Sequence, residues 1–225
     1  MESNEISQAE LDGAHPYSPG LLRVYDLWVL GFNNTVVWRC PTRHLRRLYD
    51  DNVSGDHLDI GPGTGRHLAR AVFPTSQPRI TLIDLNQHPL DMAGRRLRER
   101  RIEPTTHIAS VLRPLPVERR YASVAASLLM HCVPGGWDSK GIAFAHIADA
   151  TADDGVFFGA TVLSHDVPHT RISRATSASF NRRGGFHNED DDLDGLVGAL
   201  EKAYADVRVN TIGSIALWTA RQPRR

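Results

Sequence analysis

The sequence predicts a doubly wound α/β domain, a mostly parallel seven-stranded sheet ending in an antiparallel hairpin and preceded by a helical lid. Three observations predict it. Strand-like runs alternate with helix-like runs from about residue 57 to residue 163, the pattern of right-handed βαβ units. A glycine-rich turn, Gly61-Pro62-Gly63-Thr64-Gly65, follows the first of those strands. Two β-rich runs near the end of the chain are separated by Gly213, as an edge hairpin would be.

Each element has its own signal. Residues 1–15 read as a loose tail. Helical spacing then runs from Tyr17 to about Asp50 through Leu21, Leu22, Tyr25, Val29, Leu45 and Leu48, with Pro41-Thr42 opening a second helix. Residues 1–50 are therefore expected to be tail and helical lid, and residues 51–225 the sheet domain. The first strand is residues 57–60, and a helix is expected over 66–72. Residues 79–84 form the second strand and 89–101 a helix with Leu90, Met92, Ala93 and Leu97 on one side. Residues 105–111 and 121–127 follow as strands, the latter apolar enough to be covered on both faces. A helix over 137–150, a turn at Asp154-Gly155 and a strand over 156–163 come next. After a variable segment, 190–204 reads as a helix, and 207–212 with 214–221 as the closing pair.

Composition narrows the classes of function. The 225 residues suit one domain with an added cap. Lys+Arg and Asp+Glu both number 26, so formal net charge is zero, which removes the global footprint of a nucleic-acid binder. Apolar runs such as 124–130 are too short to span a bilayer, and the acidic start, Met1-Glu2-Ser3-Asn4-Glu5, lacks a signal peptide's basic region and apolar core. Cys40 and Cys132 offer neither a disulfide framework nor zinc spacing. A cytoplasmic protein without metal or membrane partner is expected.

The stretch from Leu58 to Gly65 carries the chemistry. Glycine permits the sharp strand-to-helix turn and lets the backbone approach a ligand. A P-loop would need Lys followed by Ser or Thr after these glycines, and none follows. A dinucleotide turn would show GxGxxG, whereas this chain has GxGxG with Asp59 two positions before it, a charge that repels a pyrophosphate. A cationic adenosyl ligand such as S-adenosylmethionine, with its ammonium and sulfonium, resolves the conflict. Asp84, 19 residues after Gly65, ends the second strand where an acid accepts ribose hydroxyls. The bland alternative is a glycine-rich turn with no ligand.

On these residues the chain resembles the class I S-adenosylmethionine-dependent methyltransferases, along nearly its whole length after Tyr17. Asp59, Gly61, Gly63 and Gly65 match that family's first motif, Asp84 with Leu85 its ribose-binding position, and Leu90 and Ala93 its LxxA pattern. Ser110 and Val111 occupy the third-strand motif, with Ser110 where the family often has Asp; Ala122 follows Tyr121 where the family commonly has Asp. Ser127 to His131 fits the end of the fourth strand, bordering the methionyl part of the cofactor. The runs 25–31, 38–40, 131–135 and 181–188 further resemble the YbcY-type predicted small methyltransferases. The resemblance implies a Rossmann-like methyltransferase fold and S-adenosylmethionine as cofactor, and says little about the acceptor; methylation of a small-molecule substrate, as O-methylation in specialised metabolism, is the function expected. An RNA or DNA methyltransferase and a non-methylating cofactor binder or cyclase on the same fold stand as alternatives.

Methyl transfer from a sulfonium is an in-line displacement, so alignment and exclusion of water come before proton chemistry. His131 is the candidate catalytic base, since an imidazole of ordinary pKa suits proton pickup near neutrality; a histidine capping the next turn is the equal alternative. Tyr25 is a candidate for the cofactor pocket, with Tyr17, Asn181, Arg182 and Phe186 as candidates for the acceptor wall. Asn188 reads as an N-cap, with the acids after it in the first helical turn.

Overall fold

A computed structural model describes residues 34–225. The expected tail, the first lid helix, Tyr17 and Tyr25 lie outside the described residues.

Seven strands form one sheet in the order β3-β2-β1-β4-β5-β7-β6. They are β1 (Asp56–Ile60), β2 (Arg79–Asp84), β3 (Thr105–Ile108), β4 (Tyr121–Ser127), β5 (Thr151–Val162), β6 (Tyr204–Ile212) and β7 (Ile215–Pro223). The first five run parallel, and β7 lies antiparallel to both β5 and β6. The chain leaves β1 toward β2 on one side and returns to place β4 on the other. The crevice between those two directions opens at the carboxyl ends of β1, β2 and β4, where ligands bind in such sheets.

The parallel strands are apolar on both faces because helices cover both. Leu58, Ile60, Ile83, Val124, Ala126 and Phe157 face a core with Phe144, Ile147, Leu196 and Leu200. Ile80, Leu82, Ala125 and Phe158 face a second core with Tyr49, Leu90, Ala93 and Leu97. The helices include α1 (Thr42–Asn52), α2 (Gln87–Glu99), α3 (Trp137–Lys140), α4 (Ile142–Ala150), α5 (Arg171–Arg182) and α6 (Leu193–Ala203), of which α1, α2, α4 and α6 supply these core residues. Since α1 buries Leu45 and Tyr49, residues 42–50 join the covering layer of the sheet.

Several expected elements are redrawn. The helix foreseen over 66–72 is only a single 3₁₀ turn, Leu68–Arg70, because Pro74 disfavours helical backbone at Phe73 and Gly65 enters in a left-handed conformation. The helix foreseen over 137–150 breaks at Gly141 into α3 and α4. The segment left open as variable holds α5, whose Thr170 and Ser173 form a reciprocal capping box. Asp192 caps α6, accepting from the Gly195 amide at 2.8 Å, so Asn188 is not the cap.

Candidate active site

Two adjoining cavities occupy the crevice. The first encloses about 660 Å³ between the ends of β1, β2, β3 and β4. Gly61, Gly63, Asp84 and Leu85 line one side of it, and Ser110, Val111, Leu129 and Val133 the other. The second, about 850 Å³, lies over the end of β5 and is walled by Trp38, His131, Val162, Phe180 and Phe186. Gly61, Gly63 and Leu128 belong to both. Leu128 holds a left-handed backbone, φ 60°, at this junction, a conformation costing a side-chain-bearing residue about 1–2 kcal/mol.

The turn after β1 is built from glycine for two separate reasons. At Gly65, φ is +68° and a Cβ would stand 2.6 Å from the Cα of Ala93 on α2, so the glycine lets the turn seat on that helix. At Gly63, φ is +53° and nothing lies within 4 Å of a would-be Cβ. That space opens to the cavities.

Asp59 is fully buried beneath the turn. The Tyr49 hydroxyl donates to its Oδ2 at 3.0 Å, while Oδ1 is buried with no hydrogen-bond partner. The nearest basic side chain is His57, with Nε2 3.7 Å from Oδ2. A buried carboxylate with a free lone-pair face favours a cation nearby. Asp84 stands at the mouth of the first cavity and accepts from the Asn86 amide at 2.9 Å. Burial pushes its pKa up to about 7, with the Asp59 charge adding to the effect.

The second cavity has an aromatic wall. Phe186 stacks on Phe180 with centroids 4.8 Å apart and meets the His131 ring edge-on at 4.4 Å. Trp38 lies 6.0 Å from Phe186. His131 is buried, and burial together with the positive charge of Lys140 pushes its pKa down to about 3, so it is neutral at pH 7. The ordinary imidazole value expected from sequence therefore does not hold; desolvation of the charged form is the reason.

Behind the wall, Lys140 and Asp191 form a fully buried ion pair at 2.6 Å. Lys140 Nζ also donates to the His187 carbonyl at 3.2 Å. The Asp191 carbonyl accepts from the amides of Ser164 and His165, and the His187 amide donates to the His131 carbonyl at 2.7 Å. Asn188 Nδ2 donates to the Val162 carbonyl, and Asn181 Nδ2 to Asn188 Oδ1. This web fixes the loop that carries Phe186.

The structure thus brings Gly61, Gly63, Asp84, Leu85, Ser110 and Val111 to one cavity and Ser127, His131 and Phe186 to the other. Asp59 lies beneath the turn, and Gly65 ends it against Ala93. Asn181 and Arg182 line neither cavity: the Asn181 amide braces Asn188, and Arg182 is exposed on α5. Sequence reasoning missed Asn34, Tyr49, Lys140 and Asp191 at this site. Tyr49, Lys140 and Asp191 act through partners distant in the chain, so no local spacing announces them; Asn34 carries no motif of its own. Among the described residues, no cluster of His, Cys, Asp and Glu is arranged to hold a metal ion.

The first cavity suits an adenosyl group on two counts, an acid at its mouth able to accept hydroxyls and an apolar slot beside it, while Asp59 lies buried beneath the turn with one carboxylate oxygen unpartnered. No family model matches the chain. It is 41% identical over 216 residues to a demethylluteothin O-methyltransferase of Streptomyces thioluteus, covering 96% of this chain and 93% of that one. It is 37% identical over 211 residues to a physcion biosynthesis cluster O-methyltransferase of Aspergillus chevalieri, covering 92% and 94%. It is also 32% identical over 193 residues to the YbcY protein of Escherichia coli K12, covering 85% and 98%. In fold it resembles the N-methyltransferase NodS of Bradyrhizobium japonicum WM9, solved with S-adenosyl-L-homocysteine. The TM-score is 0.65 at 14% identity, with 97% of this chain and 100% of that one covered.

Proposed function

From a chain that belongs to the class I S-adenosylmethionine-dependent methyltransferases, we propose a protein that methylates a hydroxyl oxygen on a small ring-bearing metabolite. The observation that carries this reading is the junction of the two cavities at Gly61, Gly63 and Leu128. An adenosyl pocket on one side and an aromatic slot on the other let a flat acceptor face the cofactor at that junction. The two relatives named for O-methylation in biosynthesis support the same class of acceptor.

S-adenosylmethionine, when bound, supplies a methyl carbon activated by its sulfonium. The chain's own residues do the rest. Asp84 would hold the ribose hydroxyls, and Leu85, Ser110, Val111 and Leu129 line the slot that would take the adenine. Asp59, buried beneath the turn, would favour the cofactor's positive charge, and the open space at Gly63 would take part of the ligand. Trp38, Phe180 and Phe186 hold the acceptor ring flat and dry, and His131 meets its reacting oxygen. Among the described residues no helix is long and apolar enough to cross a membrane. The cytoplasm, which keeps thiols such as Cys40 and Cys132 reduced, is the compartment this reading assigns.

Incubation with methyl-labelled S-adenosylmethionine and a panel of aryl hydroxyls, enols and carboxylic acids tests it. Equal yields of labelled ether and S-adenosyl-L-homocysteine are expected from hydroxyl acceptors. Label carried only by carboxylic acids, or by none of the panel, would refute hydroxyl methylation.

A further inference from the structure

β4 ends at Ser127, whereas β5 continues to Val162. The last backbone pairing between the two joins Ser127 and Ala160, and the Leu128 amide donates to the Ala160 carbonyl at 2.6 Å. Two residues on, the Val162 amide and carbonyl point to the same side with no strand beside them. Buried backbone groups require partners. The carbonyl takes its hydrogen bond from Asn188 Nδ2 at 3.0 Å, and the amide donates to His131 Nδ1 at 3.4 Å. Thr161 Oγ1 approaches the same ring nitrogen at 3.3 Å. An amide only donates, so Nδ1 holds a lone pair there. In a neutral ring the proton is then on Nε2.

The rest of the second cavity is rich in donors. Asn34 Nδ2 is buried without a partner among the described residues, and Arg66 lies on the lining. No carboxylate belongs to the described lining. The charged and titratable groups around His131 are Lys140 on α3, Cys132 beside it, His187 and Asp191 on the loop before α6, and Tyr49, Arg66 and His67 across the cavity. Of these, Asp191 is matched to Lys140, and the Tyr49 hydroxyl is committed to Asp59.

Resting on the hydroxyl-methylation reading, we propose that His131 donates through Nε2–H to an acceptor bound as its oxyanion. The substrates are therefore acidic hydroxyls, such as electron-poor phenols and enols. The O–H bond breaks before transfer, its electron pair stays on oxygen, and the proton leaves to bulk water. His131 keeps its own proton throughout. Its weak basicity, a defect in a general base, is what keeps it a neutral donor.

A chromophoric nitronaphthol, titrated against pH while bound with S-adenosyl-L-homocysteine, reads this without turnover. Its ionisation equilibrium should favour the anion about 10- to 100-fold more than in free solution, the effect of a hydrogen bond to a charged group. His131→Gln, which keeps a donor but has no base, should retain most of that shift; His131→Leu should lose it. Unchanged affinity for S-adenosyl-L-homocysteine shows that both variants are folded. The proposal is overturned by no saturable spectral change, by an unshifted equilibrium, or by Gln behaving as Leu. Methylation with one pH limb fixed across hydroxyls of different acidity would overturn the donor role while leaving the methyltransferase reading standing. An ionised bound probe with no transfer to any hydroxyl would do the reverse.

Discussion

Asp84 accepts from the Asn86 amide at 2.9 Å and from the Leu85 amide, yet burial and the neighbouring Asp59 raise its pKa to about 7. The raised value means that its contribution to stability is present below the ordinary carboxylate range and is lost as pH rises through about 7. Cofactor binding runs the opposite way, because the ionised carboxylate is the stronger acceptor for two ribose hydroxyls. Affinity for S-adenosyl-L-homocysteine should therefore strengthen between pH 6 and pH 8. Asp84→Asn should weaken binding about tenfold or more and flatten that dependence, as calorimetry at several pH values would check. A dependence that persists unchanged in the variant would move the titration elsewhere. Asp59, Asp84 and the glycines were legible from sequence because a strand–turn–helix fixes their spacing locally. Tyr49 was not, since its hydroxyl reaches Asp59 only after α1 packs on the sheet. Arg182, expected at the acceptor wall because its charge suggests an anion clamp, is exposed on α5 and lines neither cavity.

At the scale of the elements, the glycine turn separates folding from binding. Gly65→Ala must force a methyl group to 2.6 Å from the Ala93 backbone in addition to holding a left-handed conformation. Gly63→Ala meets only the conformational cost, about 1–2 kcal/mol. Denaturant titration should show Gly65→Ala to be clearly the less stable of the two. Gly63→Ala should remain folded and lose cofactor affinity, since its Cβ enters space that the ligand needs. Equal stability of the two would deny the close packing of turn on α2. The Lys140–Asp191 pair ties α3 to the loop before α6 in a similar structural role. Lys140→Met leaves a buried carboxylate unpaired and should cost about 3–5 kcal/mol, whereas replacing both partners by apolar residues should recover most of it. Urea unfolding of the single and double variants measures the difference. Neither partner was legible beforehand: Asp191 read as one of several first-turn acids, and pairing over 51 residues leaves no periodic trace.

The whole molecule was the most legible scale, because alternation of strand and helix fixes the order of a doubly wound sheet and so places the crevice. What escaped were the boundaries where tertiary contacts outweigh local propensity, namely the single 3₁₀ turn after Gly65 and the break at Gly141. The overall charge bears on which partners the crevice serves. Lys+Arg and Asp+Glu balance at 26 each, so no long-range field draws a polyanion. A local exception exists where Arg66, Arg70, Arg96 and Arg100 surround a surface pocket with Glu99. That patch is already partly committed: Arg96 donates to Thr64 Oγ1 at 3.1 Å, and Arg100 to the carbonyls of Ala69 and Ala71 at 2.9 Å. Phosphate binding there would have to displace those hydrogen bonds. Few counterions would be released in exchange, so such binding would fade with modest salt. The protein should therefore pass through a heparin column at physiological ionic strength and be retained only weakly well below it. Retention at physiological salt that is abolished by Arg66→Ala or Arg70→Ala would give the patch an anionic partner and return nucleic-acid methylation to contention. Elution in the void volume would leave the aromatic-walled second cavity as the proposed acceptor site.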